Sequence, residues 1–123
     1  QKIWELGCGI VNKDPELAEM SLEWTGEAVK YHPESDVTNV RRGESLMKNG
    51  RFAEAIVYFS RLSGRGEKTA TAAQLVCRQL SGQGDEQDAM SARSCVNEIN
   101  GWFDVLEKAP CKFDRELAEK LIQ

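Results

Sequence analysis

At 123 residues, with 41% hydrophobic and 29% charged side chains, the chain has the length of one domain and can bury a core without staples. A net charge of −4 and a pI near 5.1 argue against general nucleic-acid binding, which wants a basic face. No apolar run approaches the roughly 18 residues that span a bilayer, and no charged stretch followed by an apolar one marks a signal peptide, so the chain reads as soluble.

Apolar residues recur at spacings of three and four, as in Leu17, Met20 and Trp24, then Val40, Leu46 and Met47, then Phe52, Ile56 and Phe59. That is helix periodicity, and proline is absent between Glu34 and Ala109. The pattern predicts a helix over 2–13, broken by Asp14-Pro15, where proline opens the next helix. A second helix covers 16–31 and stops at His32-Pro33. A third covers 36–49 and ends on Gly50, a natural residue for the left-handed position just past a helix. A fourth, 52–62, stops at Ser63-Gly64-Arg65-Gly66, and a fifth, 68–81, at Gly82-Gln83-Gly84. A sixth, 86–99, stops at Asn100-Gly101; a short seventh, 102–108, leads to Ala109-Pro110-Cys111; the eighth is 114–122. Loops this short make successive helices antiparallel.

A 34-residue period runs through these elements: Gly9, Gly43 and Cys77 are 34 apart, and another small residue follows each by twelve, at Ser21, Ala55 and Ala89. Gly50 and Gly84, where two helices should turn, share the spacing. Such a period signals stacked helical hairpins. The best-formed unit is Gly43-Glu-Ser-Leu-Met-Lys-Asn-Gly50-Arg-Phe52-Ala-Glu-Ala55-Ile-Val-Tyr-Phe59-Ser-Arg-Leu62. It resembles the tetratricopeptide repeat. In that family Gly43 and Ala55 would mark the close approach of the two helices, Leu46, Phe52 and Phe59 the large knobs, and Gly50 the turn. The unit around Cys77 keeps Leu80, Gly84, Ala89 and Val96 but has Glu86 and Arg93 where aromatics belong. The unit around Gly9 keeps Ser21, Ala28 and the repeat-ending Pro33, but has Asn12 and Glu16 where a knob and the turn glycine belong. The resemblance implies an all-α, right-handed superhelical stack of about three repeats (2–35, 36–69 and 70–103) with a capping hairpin over 104–123.

Little in the chain reads as chemistry. The single histidine, His32, precedes Pro33 in a turn. Ser45 and Lys48 formally match S-x-x-K but lack the companion motifs of that enzyme class. Gly64-Arg-Gly-Glu-Lys68-Thr69 imitates a phosphate loop, but Glu67 stands where glycine precedes the lysine. No cofactor or metal is expected, and the four cysteines include no C-x-x-C pair. Cys77 reads as a buried packing thiol and Cys8 as another core-facing one, and the two are too far apart in a stack to bridge. If a disulfide exists, Cys95 with Cys111 is the first choice. Cytoplasmic and exported or periplasmic locations both remain open. Residue 1 is Gln rather than Met, which is consistent with a removed leader, a removed upstream region or a fragment boundary.

The resemblance places the first helix of each repeat on a concave, partner-binding face. That face would carry Leu6, Ile10, Val40, Arg41, Glu44, Met47, Lys48, Gln74 and Arg78. The family's clamp for peptide C-termini is not reproduced, since Leu6, Ile10, Arg41, Thr71 and Leu75 occupy its positions. Residues 1–35 hold three Lys/Arg and seven Asp/Glu, whereas 36–69 hold seven and four. The expected partner is another protein, offering a peptide or helix with apolar anchors and an acidic patch for Arg41, Lys48 and Arg78. The paired change of Val40 and Met47 to Glu is expected to abolish capture without unfolding. The function implied is non-catalytic: adaptor, chaperone or assembly factor. Self-association or docking within a larger protein is the alternative, as is the substrate-binding domain of an enzyme whose catalytic part lies elsewhere.

Overall fold

The structure, a computed structural model, describes residues 18–63, 68–109 and 111–122. The helix expected over 2–13, with Leu6, Cys8 and Ile10, and the Gly64–Gly66 turn lie outside them. All described elements are helical: α1 (Ala18–Tyr31), α2 (Asp36–Lys48), α3 (Phe52–Ser63), α4 (Lys68–Leu80), α5 (Glu86–Ala92), α6 (Val96–Lys108) and α7 (Arg115–Glu119), closed by a 3-10 turn (Lys120–Ile122). No described helix is long and apolar enough to cross a membrane.

The end of α1, both ends of α2, the start of α3 and the end of α4 fall close to where local chemistry predicts. Ser35 caps α2 through its hydroxyl, which accepts from the Thr38 amide. Past α2, Gly50 has φ of +75°; its N–H donates to Met47 O at 2.9 Å, and the Arg51 N–H donates to Leu46 O at 2.9 Å. These two bonds satisfy carbonyls that a helix end otherwise strands. The same pair recurs past α4, where Gly82 has φ of +79° and the Gln83 N–H reaches Arg78 O at 2.8 Å. The left-handed turn glycine of the later hairpin is therefore Gly82, not the Gly84 that the 34-residue spacing selects.

Successive helices α1 to α4 pack pairwise. The α2–α3 contact is set by Gly43, where a Cβ would stand 2.6 Å from Phe59 Cζ, so the Phe59 ring lies directly on the α2 backbone. Leu46, Met47, Ala55, Phe59 and Leu62 are all essentially solvent-free there. The α1–α2 contact is more polar. The Ser21 hydroxyl donates to that of Ser45, and Arg42 Nη1 donates to Leu22 O at 2.7 Å.

Beyond α4 the sequence-based outline needs correction. The sixth helix does not run from 86 to 99. It ends at Ala92, turns through Arg93, Ser94 and Cys95, and a new helix carries straight through Gly101 to Lys108. The cause is visible in the side chains. Glu86 and Arg93 occupy the knob positions, both are exposed, and Met90 is 62% exposed, so α5 has little apolar face to hold it on α4. In α6, Ile99, Trp102, Phe103 and Leu106 fall at i, i+3, i+4 and i+7 and are all buried. That stripe outweighs the roughly 1 kcal/mol that a helical glycine costs relative to alanine. Consequently α4 packs far more on α6 than on its sequence neighbour α5, and α6 also touches α2. The last helix is short and packs on α4, and the 3-10 turn after it packs on α5, burying Ala118 and Leu121, with Phe113 stacked at a tilt on Phe103.

Candidate functional site

Because α6 returns across the open side of the bundle, a cleft of about 600 Å³ forms between it and α2. Arg41, Glu44 and Lys48 line one wall at i, i+3 and i+7 of α2. Glu98, Gly101, Trp102, Val105 and Lys108 line the other on α6, with Thr69 and Ala109 completing it. A smaller hollow of about 280 Å³, lined by Val37, Val40, Phe59 and Ala70 among others, shares Arg41, Thr69 and Trp102 with the cleft.

Trp102 is the fixed point of this region. Its indole N–H donates to Thr69 O at 3.1 Å, and its ring meets that of Phe59 edge-on at 5.8 Å and 70°. With its one donor committed, it presents only apolar ring surface to the cleft. The opposite wall is ionic: Glu44 sits between two cations, 3.5 Å from Lys48 Nζ and 3.6 Å from Arg41 Nη1. Lys48 is only 8% exposed, and it lines the cleft with its ammonium 3.5 Å from Glu44.

The residues expected on a concave face are thus redistributed. Arg41, Glu44 and Lys48 come together in the cleft, and Val40 lines the adjoining hollow. Met47 does not face a groove; it is wholly buried among the α2–α4 core side chains. The Val40/Met47 double change to Glu would therefore drive a carboxylate into the core and unfold the protein rather than test binding. Gln74 and Arg78 are absent from the cleft wall. The Arg78 guanidinium is spent on Asp88 Oδ2 at 2.8 Å and Asp85 Oδ2 at 3.7 Å, and its charge is held firmly by the Asp88 hydrogen bond. Asp88 also closes a reciprocal cap with Asp85 at the start of α5. The α6 side of the cleft was missed because Gly101 reads as a helix stop; the signal that outvotes it is the apolar spacing through 99, 102, 103 and 106.

Cys95 and Cys111 are free thiols rather than the bridged pair placed first. Cys95 stands at the α5–α6 junction with its thiol toward Ser91 O at 3.7 Å, while the Cys111 Cβ lies 3.4 Å from where a side chain on Gly50 would begin. Burial pushes both thiols up from their ordinary ionisation, and Cys77 much further. The Ser45 hydroxyl accepts from Ser21 while Lys48 turns to Glu44, so these two residues do not assemble a nucleophile and base. Among the described residues no cluster of three or more His, Cys, Asp or Glu is arranged to hold a metal.

No family model matches the chain, and neither a curated protein nor a solved structure matches it.

Proposed function

We propose that this protein is a non-catalytic interaction module whose α2–α6 cleft takes a short segment of a partner polypeptide. The tetratricopeptide-like character of residues 43–62 belongs to the same proposal. The observation that carries the reading is the cleft's composition: an α6 wall with Trp102 and Val105 between Glu98 and Lys108 faces an ionic α2 wall of Arg41, Glu44 and Lys48. Apolar ring surface supplies affinity at a recognition site, and a few placed charges supply orientation.

Gly101 provides a clean test. It lines the cleft, is exposed, and an added Cβ there meets nothing within 4 Å. Gly101→Trp fills the cleft from a position that tolerates a side chain. Peptides selected from a displayed library of random seven-residue sequences should bind the parent protein and be lost on Gly101→Trp, with the thermal unfolding curve retained. A panel of binders that ignores the substitution sinks the reading.

Self-association is the second reading, favoured by exposed Met20, Trp24 and Tyr31 along one side of α1. Sedimentation across a range of concentrations, with Trp24→Arg beside the parent, separates it from the first.

A further inference from the structure

We infer that the cleft selects a single acidic side chain of its partner, and that Lys48 is the residue that reads it. The inference rests on the cleft reading above and narrows it from an acidic patch to one carboxylate. The sequence pattern offers three cations for an acidic partner, Arg41, Lys48 and Arg78. The structure withdraws Arg78, which does not line the cleft and whose guanidinium is engaged by Asp88 at 2.8 Å, with the Gln83 carbonyl at 3.4 Å and Asp85 at 3.7 Å.

Lys48 is different in kind. It is more than nine-tenths buried, yet its only acceptor among the described residues is Glu44 at 3.5 Å, the long limit of a hydrogen bond. An ammonium carries three donors, and a buried charge is stable only when its donors are met. One long contact, shared by a carboxylate that also pairs with Arg41, leaves donor capacity on a side chain that lines the cleft. A carboxylate entering beside Glu44 would lie between Lys48 and Arg41 and give a charge-assisted bond shielded from water. The wall supports an anion rather than a cation: the cleft carries Arg41, Lys48 and Lys108 against Glu44 and Glu98, a balance of +1 in a protein whose net charge is −4. On the α6 wall, the Trp102 ring has no donor to spare, so a residue beside the acidic one that reaches it meets apolar surface.

The selected seven-residue peptides give the test. Each cleft binder is made again with its Asp or Glu replaced by Asn or Gln, and both forms are titrated by fluorescence polarisation against the parent and Lys48→Met. The parent should lose about tenfold or more on the change to amide, and Lys48→Met should bind both forms alike. Raising salt from 0.05 to 0.5 M, the order of magnitude over which exposed charges become screened, should leave most of that discrimination intact, because the pair is buried. Binders that are lost on Gly101→Trp yet indifferent to the change to amide overturn this inference and leave the cleft reading standing. Binders unaffected by Gly101→Trp overturn both. The peptide change decides on the parent protein whether a carboxylate is read, and Lys48→Met with a retained melt decides whether Lys48 reads it: discrimination kept by that variant overturns the assignment to Lys48.

Discussion

Two glycines on neighbouring faces of this protein have opposite meanings, and the difference is a matter of ångströms. At Gly43 a methyl group would stand 2.6, 2.7 and 2.9 Å from three ring carbons of Phe59, which is itself wholly buried. Gly43→Ala should therefore cost about 1–3 kcal/mol through overpacking, read from urea unfolding midpoints. At Gly101 the same methyl meets open space in mid-helix, and Gly101→Ala should gain about 0.5–1 kcal/mol. Equal effects at both sites would contradict the packing described. Cys77 makes a second residue-scale prediction. It is fully buried, and burial alone raises its thiol far above ordinary thiol ionisation. The unfolded chain releases that proton near pH 9 and the folded protein does not. The folded value is thus raised above the unfolded one, and the stability it contributes is complete below pH about 9 and declines above it, by at most about 1.4 kcal/mol per pH unit. Cys77→Ala should flatten that alkaline decline, and native Cys77 should resist iodoacetamide at pH 8 while half-buried Cys111 reacts faster.

Among the elements, α6 does the most to shape the site, and one hydrogen bond fixes its rotation. Trp102→Phe keeps a ring near Phe59 but removes the indole bond to the Thr69 carbonyl, which lies within α4. The expected loss is about 0.5–1.5 kcal/mol, with the change in peptide binding exceeding what that loss alone explains if the ring also forms the cleft wall. An unchanged melting temperature would show that the indole bond adds nothing to stability. At the other end of the same region, Asp85→Ala removes the side-chain acceptor of the Asp88 amide, held at 2.9 Å, and should cost about 1 kcal/mol. How much of these elements the sequence discloses depends on what ends them. α2 and α4 close on glycines with positive φ, and α1 closes before a proline; such signals are local, and they are legible. The α5–α6 break is not local. Nothing at Arg93-Ser94-Cys95 forbids a helix, and the Cys95 side chain caps nothing. The break goes with the contrast in apolar faces: Glu86, Met90 and Arg93 of the first segment are exposed, while the second buries Ile99, Trp102, Phe103 and Leu106. Gly101 misleads for the same reason, since its propensity to end a helix is small beside four buried side chains around it. Of the candidate site, the residues of the α2 wall were named through the resemblance of residues 43–62 to a tetratricopeptide repeat, whereas the α6 wall required knowing that Gly101 is passed through.

For the whole molecule, the return of α6 decides what kind of object this is. In an open stack of hairpins each repeat touches only its neighbours, and removing the last one costs little more than its own share of stability. Here α6 packs on α4, touches α2, and sends Trp102 to a ring of α3, while Arg115 beyond it binds Glu107 of α6 and Glu119 of α7. The buried side chains form one continuous cluster running from Leu46 to Leu121. Cooperativity should therefore be global rather than graded. A chain ended after Ser94 lacks Ile99, Trp102, Phe103 and Leu106, and so uncovers Phe59 and much of α4 at once. At about 1.5–3 kcal/mol for each large side chain returned to water, the loss rivals the 5–15 kcal/mol that holds a typical domain. The shortened chain should show no sigmoidal melt by circular dichroism and should bind an apolar dye, whereas the intact chain should melt in a single step with fluorescence and circular dichroism coincident. A shortened chain that still melted cooperatively would mean that α1 to α4 stand alone as an open stack. The cleft would then be an accessory to that stack, not a product of its closure.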